Sequence, residues 1–248
     1  MRTAIISDIH GNALALSKVL EHARAGGTNR FVCLGDAIQG GPQPAQVVQL
    51  LRELDCPTVM GNADDWLLSG IDSGAESISD ARRVQLEEVR SWTLGQLTQS
   101  DREFITSFKP TIGVTLGGHR KLVGYHGSPQ SYDHMIFPTT PATELQAMLN
   151  PSKDTVYAGG HTHVQFMTHL GSTFHLNPGS VGFAYRHGQQ PESFRADPWA
   201  EYAVVESSGE RLSLEFHRVP FDAEELSAIY RRSGRPHSDA AIRQLQPL

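Results

Sequence analysis

The chain has few cysteines and lacks any long apolar segment. Among its 248 residues only Cys33 and Cys56 are cysteines, and their spacing matches no paired motif. This scarcity indicates a reducing compartment and argues against a disulfide framework. No segment approaches the roughly 18 consecutive apolar residues of a membrane-spanning helix. We therefore expect a cytoplasmic protein without a membrane partner.

The chain also lacks an excess of positive charge. It carries 21 lysine and arginine residues against 27 aspartate and glutamate residues, a formal net charge of −6. Non-specific nucleic-acid binding requires several basic side chains at phosphates, so a long nucleic acid is not an expected partner. No coiled-coil heptad pattern is present, and the sequence leaves the oligomeric state open.

Five short polar motifs occur in order along the chain, each after an apolar run that is typical of a β-strand. Because side chains at strand ends converge on one edge of a sheet, the motifs predict a single site. They extend from residue 8 to residue 163, which predicts one domain over residues 1–248. The predicted site residues are Asp8, His10, Asp36, Asn62, His126, His161 and His163.

These seven side chains supply two carboxylates, one amide and four imidazoles, which are enough for two divalent metal ions. Nitrogen and oxygen ligands without thiolates suit manganese, iron, zinc or nickel better than calcium. Two ions about 3.5–4 Å apart can hold a bridging hydroxide for in-line attack at phosphorus. Such a centre needs a bridging carboxylate, and Asp36 is the natural candidate.

The order of these motifs resembles that of the calcineurin-like metallophosphoesterase superfamily over about residues 1–182. The resemblance implies an α/β fold, a two-sheet β-sandwich flanked by helices. It implies that Asp36, Asn62 and His161 are catalytic, with a metal-bound hydroxide as nucleophile. It further implies two metal sites that share Asp36: one holds Asp8, His10, Asp36 and His163, and the other holds Asp36, Asn62, His126 and His161.

The sequence departs from the superfamily pattern after Gly-Asn. Many members have a histidine there that stabilises or protonates the leaving group, whereas this chain has Ala63. Candidate replacements for this acid are His187, His134 and Asp64. Alternatively, the two histidines are surface residues and Asp64 is a helix N-terminal carboxylate. Without the acid, we expect substrates with acidic leaving groups to react faster.

Two arginines that clamp phosphate in superfamily protein phosphatases are also missing, since Gly40 and Met60 occupy those positions. A monoester dianion would lose its bidentate partners. Two divalent ions, two aspartates and one hydroxide leave a single positive charge, which matches a phosphodiester monoanion. The Gly-Asn-x-Asp form also resembles small bacterial and archaeal phosphodiesterases. Diester hydrolysis is therefore the predicted activity.

The sequence leaves three alternatives open. A phosphomonoesterase, including a protein phosphatase, could obtain its arginines from distant positions, and a dinucleoside polyphosphate hydrolase is a further possibility. A scaffold resembling the retromer subunit of this fold is disfavoured because all seven ligand positions are intact. The expected substrate is a small phosphodiester or nucleotide-like molecule. Its predicted contacts are Arg186, in a long loop at residues 183–199, and Tyr132, with Asp133 and Phe137 nearby.

The flanking segments carry helical and hairpin patterns. Alternating strands and helices in the first hundred residues predict a largely parallel sheet, followed by a helical insertion at about residues 71–108 in which Ser100-Asp101 caps a short helix. Gly117-Gly118 and Gly171-Ser172 predict hairpin turns. A C-terminal helical extension is predicted at about residues 222–248. Trp66 and Trp92 are predicted to pack, with base stacking as the alternative.

Overall fold

The fold is known from a computed structural model that describes residues 1–71, 73–74, 78–190, 193–208 and 211–245. Four positions of the predicted insertion, 72 and 75–77, therefore lie outside the described residues. The same holds for positions 191–192 of the predicted loop and 246–248 of the predicted C-terminal extension.

Strands of the described chain form two mixed sheets. The first sheet has the order β2-β1-β8-β9, and the second has the order β3-β4-β5-β7-β6. The strands are β1 (Arg2–Ile6), β2 (Phe31–Cys33), β3 (Ile112–Gly117), β4 (Arg120–Gly124), β5 (Thr155–Ala158), β6 (Phe166–Leu170), β7 (Thr173–Asn177), β8 (Trp199–Ser208) and β9 (Arg211–Pro220).

Both faces of the first sheet are buried at β1, where alternate side chains point to opposite sides and into different clusters. On β1, Ile5 packs in the cluster shared with the second sheet, together with Leu122 and Val156. Its neighbours Ala4 and Ile6 pack in a different cluster, on the helical side. The two sheets thus form a sandwich with one core between them and another beneath the helices, which confirms the predicted fold class.

Helices cover the outer faces of the sandwich. They are α1 (Ala13–Ala25), α2 (Pro44–Leu54), α3 (Asn62–Ser69), α4 (Asp80–Gln96), α5 (Gln99–Thr106), α6 (Ala142–Leu149), α7 (Ala223–Ser233) and α8 (Ser238–Leu245). Asn12 caps α1, since its side chain accepts a hydrogen bond from the Ala15 amide. None of the described helices is long and apolar enough to cross a bilayer.

The prediction of a largely parallel sheet is wrong. β1 and β2 are parallel, but the C-terminal hairpin of β8 and β9 pairs antiparallel on the other edge of β1. The apolar run after Pro57 makes only isolated bridges, at Thr58 and Val59. Proline has no amide hydrogen, and α3 begins at Asn62, so this run is too short to extend the parallel ladder.

Two further local predictions have different outcomes. The hairpins around Gly117-Gly118 and Gly171-Ser172 are confirmed, because β3 pairs with β4 and β6 pairs with β7 in antiparallel register. The predicted cap of α5 at Ser100-Asp101 is wrong. Thr98 is the N-cap residue, and it exchanges hydrogen bonds with Asp101 in a capping box.

Candidate metal centre

The predicted ligands lie in loops that leave one edge of the two sheets. Asp8 follows β1, Asp36 follows β2, and His126 follows β4. β4 and β5 are parallel, so the loop after β5 delivers His161 and His163 to the same edge as His126. The positions of these side chains therefore follow from where the strands end.

Most of these ligand residues have left-handed backbone conformations. Positive φ angles occur at Asp8 (54°), His10 (47°), Asp36 (49°), His161 (68°) and His163 (55°). Such conformations are uncommon for residues other than glycine and persist where the surroundings enforce them. Here the Asp8 amide donates to Gly35 O and the His10 amide donates to Asp36 O. The backbone is thus bent to direct these side chains inward.

The side chains form two groups with ligand atoms close together. One consists of Asp8, His10 and His163, and the other of Asp36, His126 and His161; within each group the ligand atoms lie within 4.8 Å of one another. Asn62 joins the second group, because its Oδ1 lies 2.9 Å from His126 Nε2. Asp36 Oδ2 faces both groups, at 3.4 Å from His126 Nε2 and 3.9 Å from His10 Nε2.

Backbone carbonyls orient three of the imidazoles. Nδ1 donates to Gln39 O in His10 (3.0 Å), to Leu34 O in His126 (2.8 Å) and to Phe183 O in His163 (2.7 Å). These hydrogen bonds place the proton on Nδ1 and direct the Nε2 lone pair into the centre, as in metal-binding histidines.

The donor set fits divalent cations. Asp8 Oδ1 is buried and has no hydrogen-bond partner among the described residues. It lies 3.2 Å from His163 Nε2, and a buried carboxylate oxygen without a donor needs a compensating positive charge. Imidazole, carboxylate and amide ligands without thiolate suit manganese, iron, zinc or nickel.

The electrostatics of the centre keep its carboxylates ionised. Burial tends to raise the pKa of Asp36, but the charge and hydrogen bond of His126 outweigh burial and lower that pKa. Burial tends to lower the pKa of His126, whereas Asp36 and then Asp8 raise it to about 10. Without metal, His126 therefore holds a proton that balances the carboxylates, and a bound cation would take over this role.

Asp64 supports the backbone of the centre. Its two carboxylate oxygens accept hydrogen bonds from the amides of Ala37 and Ile38, each at 2.9 Å. Burial, followed by the charge of Asp36, raises the pKa of Asp64 to about 7. Both oxygens are thus engaged with the segment that follows Asp36.

The other residues predicted as acids or substrate contacts hydrogen-bond to nearby groups, face solvent or pack against a neighbouring ring. His134 Nδ1 lies 2.8 Å from Ser128 Oγ, and His187 Nε2 donates to Thr162 O at 2.7 Å. Arg186 is exposed. The Phe137 ring packs edge-on against His187, with the ring centroids 5.7 Å apart.

Two cavities adjoin the ligands. The central cavity, of about 320 Å³, lies over both ligand groups and is also lined by Arg82 of α4 and Tyr230 of α7. The side cavity, of about 370 Å³, extends beneath the insertion helices and is lined by Trp66, Tyr132 and Asp133, among others. Arg186, His187, His134 and Asp64 line neither cavity.

Residues 1–198 match the model of the calcineurin-like phosphoesterase superfamily domain. The chain belongs to the calcineurin-like phosphoesterase superfamily. It is 28% identical over 204 residues to phosphodiesterase YfcE of Escherichia coli, covering 78% of this chain and 85% of that protein. The predicted family resemblance is thereby confirmed.

Solved structures of this fold extend over nearly the whole chain. A metallophosphoesterase from Sphaerobacter thermophilus is 27% identical with a TM-score of 0.69, and 98% of each chain is covered. A hypothetical protein from Pyrococcus horikoshii, PH1004, is 20% identical with a TM-score of 0.76 and the same coverage of 98% on both sides. The latter comparison supports the fold alone.

Sequence reasoning missed three residues near the superfamily centre. Arg82 and Tyr230 line the central cavity, and Arg235 Nε donates to Gly40 O at 2.6 Å. A guanidinium therefore lies beside Gly40, the position at which the sequence lacks an arginine. Only the packing of α4 and the C-terminal helices brings these residues together, and no local motif signals it.

Proposed function

We propose that the chain is a dinuclear metal-dependent phosphodiesterase that cleaves small substrates. The observation that carries this proposal is the position of Asp36 Oδ2, which faces both ligand groups at 3.4 Å from His126 Nε2 and 3.9 Å from His10 Nε2. A carboxylate between two adjacent ligand groups suits a centre of two metals. The central cavity gives a phosphate ester access to both groups.

Seven side chains hold the two ions in this proposal. The first ion takes Asp8, His10, Asp36 and His163, and the second takes Asp36, Asn62, His126 and His161. When bound, two divalent ions activate water and neutralise charge at phosphorus. Manganese is our first choice, with iron, zinc and nickel as alternatives that the ligand types equally suit.

The protein itself orients these groups. The amide of Ala63 donates to Asp36 Oδ1 at 2.8 Å, which leaves Oδ2 directed between the two groups. The carboxylate of Asp64 fixes the Ala37 and Ile38 amides and thereby the loop that carries Asp36. Preorganised ligands of this kind need little rearrangement when substrate binds.

We assign the phosphate contact to Arg82. Its guanidinium lines the central cavity and makes no hydrogen bond or ion pair with any residue in the described part of the chain. A free guanidinium can donate to the non-bridging oxygens of a phosphate. Arg186, which the sequence favoured for this role, lies outside both cavities and is the weaker candidate.

Diester cleavage agrees with the charge of this site and with the chain's relatives. In the described part of the chain one exposed arginine lies in the cavity wall, which suits a monoanion, and the similarity to the Escherichia coli protein named phosphodiesterase YfcE supports the same choice. The second candidate is a phosphomonoesterase. It is favoured by the nearness of Arg82 and Arg235, since two guanidiniums could together hold a dianion.

Protonation of the leaving group has no assigned residue in this proposal. Ala63 cannot donate a proton, and His187, His134 and Asp64 line neither cavity. We infer that the reaction depends on leaving groups that depart as stable anions. The proposed location of the enzyme is the cytoplasm, because a chain with two free cysteines suits a reducing compartment.

Hydrolysis of two nitrophenyl esters tests the function. Protein stripped with a chelator is reloaded with manganese, zinc, nickel or magnesium and assayed on bis(p-nitrophenyl) phosphate and p-nitrophenyl phosphate. We expect a transition metal to restore diester cleavage that exceeds monoester cleavage, and Asn62→Ala and His161→Ala to abolish it. His169→Ala, an exposed strand residue, is the matched control. A dominant monoester rate would instead establish the second candidate.

A further inference from the structure

The side cavity opens directly onto the candidate metal centre. Its mouth consists of His10, Asn62 and Ala63, and the same three residues also line the central cavity. At this junction Ala63 contributes only a methyl group. A substrate whose phosphate lies at the centre can therefore extend one of its ester groups into the side cavity.

The walls of the side cavity are largely apolar and aromatic. Trp66, Ile71, Ile78, Leu86 and Tyr132 contribute to this lining. The volume of about 370 Å³ falls within the range of roughly 300–1,000 Å³ that is usual for small-molecule sites. Such walls favour a flat, apolar group over a hydrated one.

Trp66 is held in place before any ligand binds. Arg90 of α4 donates from Nε to the carbonyls of Trp66 and Leu67, at 3.0 and 3.1 Å. The same guanidinium lies over the Trp66 ring, 5.7 Å from its centroid. A tryptophan that is fixed in this way loses little conformational entropy when a ring stacks against it.

The charges of the side cavity disfavour a second phosphate. Among the described residues, three carboxylates line it, those of Asp65, Glu87 and Asp133, against the single guanidinium of Arg83. Glu87 also pairs with Arg90 outside the lining, at 2.8 Å. The acidic excess would repel a phosphorylated group but accept an uncharged one.

We propose that the side cavity binds an uncharged aromatic ring of the substrate, which stacks on Trp66 while the phosphodiester lies at the metal centre. This inference rests on the proposed function and names its substrate class: aryl or nucleoside diesters in preference to alkyl diesters. Dinucleoside polyphosphates are disfavoured, because their additional phosphates would meet the carboxylates of the cavity.

Binding of two phosphinates tests the proposal without requiring turnover. Diphenylphosphinate and dimethylphosphinate are both monoanions that cannot be hydrolysed, and only the first carries aromatic rings. With manganese-loaded protein, calorimetry is expected to give an affinity roughly tenfold or more higher for diphenylphosphinate, as stacking on an aromatic side chain provides. Equal affinities would overturn the proposal.

Variants of the cavity wall locate the effect. Trp66→Leu, and independently Leu86→Gln, are expected to remove most of the preference for diphenylphosphinate while leaving dimethylphosphinate binding unchanged. Trp92→Leu, on α4 like Leu86 but outside both cavities, should retain the preference. A preference that survives both wall variants would place the ring elsewhere and contradict the proposal.

A kinetic comparison distinguishes an aryl group from a nucleoside as the part of the substrate that supplies the aromatic ring. Bis(p-nitrophenyl) phosphate and thymidine 5′-p-nitrophenyl phosphate release the same leaving group and differ in their second ester group. The diester with the lower KM carries the group, aryl or nucleoside, that binds better in the side cavity. If neither diester is cleaved but the phosphinate preference depends on Trp66, the side cavity binds as proposed and only the hydrolytic function fails. If a diester is cleaved but diphenylphosphinate is not preferred, the proposal for the side cavity is wrong and the hydrolytic function stands.

Discussion

His10 and His163 face each other through their Nε2 atoms, which lie 3.1 Å apart. Both imidazoles donate from Nδ1 to backbone carbonyls, so the facing nitrogens present lone pairs. Two lone pairs at this distance repel each other unless a cation or proton lies between them. Burial tends to lower the pKa of His163, but the charge and hydrogen bond of Asp8 outweigh burial and raise that pKa, so without metal a proton joins the two nitrogens. A divalent ion would displace this proton, and this links metal binding to stability.

Metal binding is therefore expected to stabilise the fold. A ligand that binds only the native state at about 100 times its Kd adds about 2.7 kcal/mol to the free energy of unfolding. Calorimetry of chelator-stripped protein should show a higher Tm after addition of manganese. In Asp8→Asn the increase should be much smaller, while the exposed control His169→Ala should keep it. An equal increase in Asp8→Asn would exclude this carboxylate as a ligand.

Arg82→Ala is expected to weaken diester binding and leave metal content unchanged. Because the side chain is exposed, solvent screening limits the effect, and we expect KM to rise about three- to tenfold. The effect should diminish at high salt, since exposed charges are screened. Arg231→Ala, at an exposed position in the last turn of α7, is the matched control. Steady-state kinetics at two salt concentrations provides the measurement, and an unchanged KM would remove Arg82 from the substrate site.

The rate should depend steeply on the acidity of the leaving group. Position 63 is alanine, so no side chain there can protonate a departing alkoxide. Across a series of methyl aryl phosphates, the logarithm of kcat is expected to fall strongly as the pKa of the phenol rises. Ala63→His should flatten this dependence and, because it narrows the junction of the two cavities, raise KM for aromatic diesters. A flat dependence in the unaltered protein would show that another residue supplies the proton.

His175 is expected to make stability pH-dependent. Burial lowers the pKa of this imidazole to about 3, whereas in the unfolded chain it is about 6.5. Between these values the unfolded state binds the extra proton, so the free energy of unfolding falls as the pH falls from 6.5 towards 3. The contribution is at most about 1.4 kcal/mol per pH unit.

His175→Gln should remove this contribution, and glutamine can still bond the hydroxyl of Tyr125, which lies 2.8 Å from His175 Nδ1. Urea denaturation of chelated protein between pH 7.5 and 5 provides the comparison. The stability difference between the two proteins should shift in favour of the variant as the pH falls. Parallel stability curves would indicate that folding does not lower the pKa of His175.

The sequence predicts the ligands better than the walls of the site, for a physical reason. Asp8, Asp36 and His126 come shortly after the ends of apolar strands, and strand ends determine where side chains meet. Arg82 and Tyr230 belong to amphipathic helices, whose local pattern indicates a solvated face but not what lies opposite it. Their positions depend on how α4 and α7 pack, which is not a local property.

Strand pairing shows the same limit. The apolar run at Phe31–Cys33 forms a strand as its pattern predicts. The similar run after Pro57 makes only single bridges, because its length is limited by a proline and a helix start. The partner of β1 on its other edge is β8, which lies some two hundred residues later in the chain. Sequence periodicity identifies such strands but not their neighbours.

The metal content per chain tests the central claim most directly. After loading with manganese and removal of excess metal, elemental analysis should give two ions per chain. Asp8→Ala and His126→Ala should each retain about one ion, and Asp36→Ala should lose most of both, because its carboxylate faces both ligand groups. A single ion in the unaltered protein, or an unchanged content in Asp36→Ala, would contradict a dinuclear centre joined by Asp36.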